Sequence, residues 1–222
     1  MTQNTQFQNT QFQNTQSQMT QFQQTTSPLT IINDPCKIQK GYLNLILGPM
    51  FSGKSTRLIE YIRKYKTLGL DMLIIKPSID IRYTDINKIC THNSEKEKCI
   101  SLEINKLNDI FNLESYQNTN LIFIEEAQFF SDIYQIIKKM TDTDKKIVYL
   151  SALNGDSNRE LFGDIYKLIP LTDNIEFLQA LCTICNDGTN GIYSKRLTTN
   201  TSQIFVAGMG EYQAVCRKHF LD

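Results

Sequence analysis

Four short, strongly apolar runs punctuate the chain: Tyr42 to Leu47 (YLNLIL), Met72 to Ile75 (MLII), Leu121 to Ile124 (LIFI) and Ile147 to Leu150 (IVYL). Runs this short, with little polar alternation, predict strands buried on both faces, as in a parallel sheet. Between the first two, Leu58, Ile59, Ile62, Tyr65 and Leu68 recur at helical spacing from Lys54 onward, and Gly69 supplies a stop. Ser131 is placed to cap a further helix reaching about Met140. Strand and helix patterns in alternation predict an α/β domain with a mainly parallel sheet.

The pattern changes at both ends. After Leu171 the segments Gly191 to Leu197 and Gln203 to Ala207 alternate between Cys/His pairs. They predict a β-rich module of about 50 residues, too small to hold itself without a staple. Upstream, residues 1 to 27 repeat a Gln/Asn/Thr unit with spaced Phe (QNTQF, QNTQF, QNTQS, QMTQF). That composition cannot form a core and predicts a disordered tail; self-association is the other use of such tracts. The expected organisation is a tail and linker over 1–39, an α/β domain over 40–171 and a β-rich module over 172–222.

Charge and cysteine usage narrow the function classes. Over 222 residues, Lys+Arg and Asp+Glu balance at 23 each, so no basic excess points to nucleic acid. No run approaches the ~20 apolar residues of a membrane span. No charged side chain precedes Asp34, which fits neither a signal peptide nor an arginine-rich transit peptide. The expectation is a soluble, cytoplasmic protein without membrane or nucleic-acid partners. Of six cysteines, Cys182, Cys185 and Cys216 have metal-like spacing, while Cys36, Cys90 and Cys99 show no partner pattern. A disulfide framework belongs rather to short secreted chains.

Gly48-Pro49-Met50-Phe51-Ser52-Gly53-Lys54-Ser55 fits the P-loop pattern GxxxxGK(S/T), with a strand pattern before it and a helix pattern after it. Backbone N–H groups of such a loop turn inward around phosphate oxygens at the positive end of a helix. Lys54 is expected to reach the β- and γ-phosphates of ATP, and the Ser55 hydroxyl to ligate Mg²⁺. A carboxylate is also needed at the end of another buried strand, and Glu125-Glu126 after LIFI supply two. Adjacent side chains there point different ways, so one can face the metal and the other an acceptor hydroxyl as general base. These features alone specify phosphoryl transfer or ATP hydrolysis and leave the acceptor open.

Cys182-Thr-Ile-Cys185 and Cys216-Arg-Lys-His219 are two pairs with the same gap. Three thiolates and an imidazole suit tetrahedral Zn²⁺ with no open position, hence a structural site that makes metal binding part of folding.

These strings resemble the thymidine kinase family, of the type related to cytosolic vertebrate and poxviral enzymes. The resemblance is carried by Leu47-GPMFSGKST-Arg57, Ile75-KPSIDIRY-Thr84, Thr91-His92, Glu125-EAQFF-Ser131, Tyr193-SKRL-Thr198, and Gly208 through Tyr212 to Cys216-RKH-Phe220. It implies transfer of the ATP γ-phosphoryl group to the thymidine 5′-hydroxyl, giving dTMP for salvage into DNA synthesis. It implies Glu126 as the base and Glu125 on the magnesium side through water. Gly48 to Ser55, Asp80, Arg82 and Gln128 would serve the ATP side. Met50, Phe129, Leu153, Phe162 and Tyr212 would wall the nucleoside pocket, with Gln203, Ile204, Phe205, Val206 and Ala207 offering main-chain bonds from a loop tied down by zinc. A homotetramer is a further expectation. On residue type alone, Met50, Leu153 and Phe162 read as core, and Asp80 and Arg82 as a surface pair.

Two departures from the family pattern stand out. Glu125 replaces the usual Asp and moves the carboxylate by about 1.5 Å. Ser157 replaces an aromatic near the base, which predicts weaker thymidine binding or broader pyrimidine use. Asn154 replaces a usual acid. Competing expectations are a P-loop ATPase with a zinc ribbon acting on nucleic acid, and a catalytically silent kinase-fold scaffold.

Overall fold

The computed structural model describes residues 40–79, 88–90, 96–98, 100–102, 107–199, 202–204 and 210–222. The four apolar runs all form strands: β1 (Tyr42–Gly48), β2 (Met72–Pro77), β6 (Leu121–Ile124) and β7 (Ile147–Leu153). Two short strands, β3 (Lys88–Cys90) and β4 (Lys96–Lys98), pair antiparallel with each other, and β5 (Ile100–Leu102) joins β2. With β8 (Asn174–Phe177), the main sheet has six strands in the order β5-β2-β6-β7-β1-β8, every pair parallel.

The period-two geometry of strands explains why these runs are apolar throughout. Leu45, Ile122 and Val148 face one side, with Phe130, Ile133 and Ile137, and Ile46, Phe123 and Tyr149 face the other. That second face is covered by α1 (Lys54–Lys66), whose Leu58, Ile59, Ile62 and Tyr65 form its buried stripe. An aromatic ladder runs through this layer. The Tyr149 ring lies 4.6 Å from Tyr61, 5.3 Å from Phe123 and 5.6 Å from Tyr65, and the Tyr65 and Tyr149 hydroxyls are 2.5 Å apart. Burying a polar hydroxyl is tolerable because each finds the other.

On the opposite face, α2 (Glu114–Asn118) precedes β6 and α3 (Ile133–Lys138) follows it. The expected cap at Ser131 falls instead on Asp132, and the helix gives way to a π-turn over Lys139–Thr143. Asp132 makes no side-chain cap bond; its Oδ2 accepts the N–H of Asn108 from the neighbouring turn.

The sheet extends beyond the expected boundary at residue 171. Strand β8 lies in register with β1, Asn44 opposite Asn174 and Leu47 opposite Phe177. The polar residues that disguise it are the ones that fasten it. Glu176 accepts hydrogen bonds from Asn44 Nδ2 (3.0 Å), Tyr61 Oη (2.6 Å) and Arg57 Nε (2.6 Å), joining β8 to β1 and α1. Beyond it, β9 (Ala180–Leu181) pairs with β10 (Asn190–Gly191), and β11 (Tyr193–Arg196) with β12 (Tyr212–Val215), before α4 (Arg217–Leu221). Among the described residues, the buried cluster of this module is Cys182, Val215 and Cys216. Among the described residues no helix is long and apolar enough to cross a membrane.

Candidate active site and metal centre

Strands β6, β7 and β1 are neighbours, and their C-terminal ends deliver Glu125-Glu126, Leu153 and Gly48 to one edge of the sheet. In open parallel sheets this edge is where ligands sit. The chain leaves β1 through Gly48 to Gly53 and enters α1 directly. Gly53, at φ 85, occupies the left-handed position that starts the helix, and Phe51 is also left-handed at φ 64. A side chain at Gly48 would stand 2.5 Å from the Leu178 carbonyl and 2.6 Å from Ser52 Oγ, so only hydrogen fits there. The buried Lys54 turns its ammonium back onto the loop, donating to the Pro49 carbonyl at 2.7 Å, and Ser52 Oγ donates to the same oxygen at 2.8 Å. Ser55 lies half-buried in the first turn of α1.

Glu125 and Glu126 are both buried, at 2% and 7% exposure. The Glu125 N–H continues the sheet by donating to the Ile75 carbonyl. Glu126 then turns left-handed, at φ 49 and ψ 43. For a non-glycine residue this costs about 1–2 kcal/mol and persists only where its surroundings dictate it. Of the two carboxylates, Glu126 lines the cleft described below and Glu125 does not. Gln128 Nε2 donates to Glu126 Oε2 at 2.6 Å, while Gln128 Oε1 accepts the Leu153 N–H at 3.1 Å. Gln128, grouped with ATP-side residues by the resemblance, thus bridges the acidic turn and the end of β7.

A cleft partly open to solvent, with a cavity volume of about 40 Å³, lies against these residues. It gathers Glu126 and Gln128 with Met50, Phe129, Leu153, Ser157, Phe162, Gln203 and Tyr212, all named from the sequence. The Phe129 and Phe162 rings meet edge to face at 5.4 Å. Ile204 is exposed and takes no part in the lining. Asp80, Arg82, Phe205, Val206 and Ala207 lie outside the described residues, as do His92 and Cys99.

Sequence reasoning missed Gly155, Asp156, Ser194 and Arg196. Asp156 is buried, its Oδ1 accepting the N–H groups of Asn158 and Glu160, so it organises its own turn. Arg196 donates from Nε and Nη2 to the Tyr212 hydroxyl. Ser194 Oγ accepts the Met50 N–H at 2.9 Å, fastening the glycine-rich loop to β11. Ser194 and Arg196 sit in the Tyr193-SKRL string, whose alternation was the available signal.

Cys182, Cys185, Cys216 and His219 place their four ligand atoms within 4.8 Å of one another. The Cys185 and Cys216 sulfurs are 3.8 Å apart, and His219 Nδ1 lies 3.5, 3.3 and 3.5 Å from Cys182, Cys185 and Cys216. Tetrahedral zinc with bonds of ~2.3 Å to sulfur and ~2.0 Å to nitrogen requires edges of roughly 3.8 and 3.5 Å, so the donor set fits. All three cysteines are free thiols. Burial works to raise the Cys182 thiol, but N–H groups of Cys185 and Cys216 and the His219 ring outweigh it and bring it down to about 6. The cluster can hold a metal ion such as zinc.

Residues 41–220 match the family described as thymidine kinase. The chain belongs to the thymidine kinase family. Similar family members include the thymidine kinase of monkeypox virus, 40% identical over 82% of this chain and 98% of that protein. The fowlpox virus (strain NVSL) thymidine kinase is 37% identical over 83% of this chain and 100% of its own. The rice (Oryza sativa subsp. japonica) thymidine kinase is 35% identical over 82% of this chain and 67% of its own. The matched span takes in the cleft, the acidic turn and the cysteine–histidine cluster together.

Proposed function

We propose that this protein transfers the γ-phosphoryl group of ATP to the 5′-hydroxyl of thymidine, forming dTMP and ADP for nucleotide salvage. The observation that carries the reading is the position of Glu126. Its buried carboxylate lines the same cleft as Met50 of the glycine-rich loop, so one turn separates a phosphate cradle from the cleft that would take the nucleoside.

Glu126 accepts the proton of the 5′-hydroxyl as that oxygen bonds to phosphorus and the bond to the ADP oxygen breaks. Gln128 holds the carboxylate to one orientation at the wall of the cleft. Lys54 leaves the Pro49 carbonyl and follows the β- and γ-phosphates, with backbone N–H groups of Gly48 to Ser55 around them, and the family resemblance assigns Asp80 and Arg82 to the same phosphates. Ser55 and, through water, Glu125 would hold Mg²⁺, which neutralises charge on the phosphates. Phe129 and Phe162, packed edge to face, would wall the base region with Met50 and Leu153, and Tyr212, steadied by Arg196, offers its hydroxyl. Zinc on the four-residue cluster would tie β9, β12 and α4 into one unit beside the cleft. The working assembly is a homotetramer in the cytoplasm.

The test is incubation of zinc-replete protein with Mg-ATP and each nucleoside in turn, products separated by chromatography. Thymidine monophosphate is expected, with Glu126→Gln losing about 10²–10⁴-fold in kcat. ATP binding without product from any nucleoside would overturn the reading in favour of an ATPase or a silent scaffold.

A further inference from the structure

The end of β7 and the turn that follows it supply five residues of the cleft, Leu153, Gly155, Asp156, Ser157 and Phe162. At its inner end the Asn154 N–H donates to the Gly48 carbonyl. At its outer end stands Arg159, exposed and left-handed at φ 66. L residues rarely adopt that conformation, and they hold it where surrounding contacts dictate it.

The backbone is held within the turn, where the Arg159 N–H donates to the Asp156 carbonyl at 3.1 Å, and the side-chain contacts are on the neighbouring module. The Arg159 guanidinium lies 4.6 Å from the centre of the Phe220 ring and 5.6 Å from that of Tyr193. Those rings are 5.1 Å apart and pack against the buried cluster of Cys182, Val215 and Cys216. Phe220 follows the ligand His219 directly, and Lys195 on β11 donates to the His219 carbonyl at 2.7 Å. A planar guanidinium stacked on rings is held in orientation as well as in place. The same turn has a second tie, since Gln203 Nε2 donates to Asp156 Oδ2 at 2.9 Å and to the Leu161 carbonyl at 3.0 Å.

We propose that Arg159 is a positioning residue that couples occupancy of the cysteine–histidine site to nucleoside binding in the cleft. Metal at the four ligands orders α4 and β11, which fixes the Phe220 and Tyr193 rings. The rings fix Arg159, and Arg159 fixes the turn whose inner residues wall the cleft. Coupling of this kind is reciprocal, so a nucleoside in the cleft slows loss of the metal. The inference rests on the reading that thymidine occupies the cleft, and it reaches beyond that reading by assigning the surface residue that connects the two sites.

The experiment uses the full chain loaded with zinc, as wild type, Arg159→Ala, Arg159→Lys and Arg159→Gly. The first measurement is steady-state kinetics in thymidine and in ATP. The second is the rate of zinc transfer to a colorimetric chelator, with and without saturating thymidine and without ATP. In the wild type thymidine slows zinc release several-fold. Arg159→Ala raises the thymidine KM by about 3- to 10-fold, the equivalent of losing two cation–ring contacts, with kcat and the ATP KM within about twofold. It also abolishes the protection of zinc by thymidine. Arg159→Lys recovers part of both effects because it keeps the cation. Arg159→Gly, which relieves the backbone at φ 66 yet removes the cation, behaves as Arg159→Ala.

An Arg159→Ala variant with wild-type thymidine KM and intact protection overturns the proposal. So does a wild type that phosphorylates thymidine while thymidine leaves zinc release unchanged. A wild type that phosphorylates no nucleoside removes the kinase reading on which the coupling rests, and is recognised as such in the first measurement.

Discussion

Replacing Glu176 gives a quantitative test of how β8 is attached. Its Oε1 accepts from Tyr61 and Asn44, and its Oε2 from Arg57. The Glu176 side chain is 17% exposed, whereas Arg57 is 40% exposed and its ion pair is discounted for solvent screening. Two charge-assisted bonds at roughly 1–1.5 kcal/mol each, plus a screened pair below 1 kcal/mol, put the cost of Glu176→Ala at about 3 kcal/mol. Glu176→Gln keeps an oxygen for Tyr61 and Asn44 but presents an N–H to Arg57, which can swing into solvent, so it costs only about 1 kcal/mol. Burial works to raise the Glu176 carboxyl, but the bonds from Tyr61, Arg57 and Asn44 prevail and hold it below the ordinary glutamate range. A carboxyl depressed by folding contributes its stability above the unfolded value, about pH 4.3, and loses it as pH falls through the folded value. Urea unfolding of the three proteins at pH 7 and at a series of pH values below 4 is the assay. The gap between wild type and Glu176→Gln is expected to be full at pH 7 and to close on acidification. A Glu176→Ala cost below about 0.5 kcal/mol at pH 7, or a gap that widens in acid, would refute the account.

The other sites predict distinct outcomes. Cys185→Ser, or chelation of the wild type, is expected to release the metal and expose backbone amides across 180–222 to hydrogen exchange while those of β1, β6 and β7 stay protected. Equal loss of protection in the sheet would show that the metal serves the whole fold instead. Ser157→Phe restores a ring at the cleft wall and is expected to lower the thymidine KM by about 2- to 10-fold, read from initial rates. An unchanged KM would mean that the position does not reach the base.

Much of this was legible in the sequence because the chemistry is local there. Lys54, Glu126 and the cysteine–histidine pairs each follow or flank a pattern whose meaning survives without coordinates. Strand β8 did not announce itself, since Asn174-Ile-Glu-Phe177 lies at a sheet edge with Ile175 and Phe177 exposed, and its polar residues bond to partners over 100 positions away. Asp156 was equally opaque. A carboxylate that accepts N–H groups from its own turn has the same local sequence as any surface loop aspartate. The helix starts one residue later than Ser131 suggested, at Asp132, whose carboxylate is engaged by Asn108 from another turn, a tertiary contact that no local pattern records.

The aromatic ladder beneath α1 makes the molecule its own optical probe. The chain contains no tryptophan, so its near-ultraviolet absorption and emission come from tyrosine. Tyr149 touches rings from α1 and from β6 at once, which places the chromophore at the joint between the sheet and the helix that opens on the phosphate loop. Burial raises both the Tyr65 and the Tyr149 phenol, and Tyr61 is raised with them. Phenols raised by folding support the native state fully below the ordinary tyrosine value of about 10 and withdraw that support as pH climbs through the folded value. Among the ten tyrosines of the chain, those at this joint ionise late, so the late part of an alkaline titration includes the parting of helix α1 from the sheet.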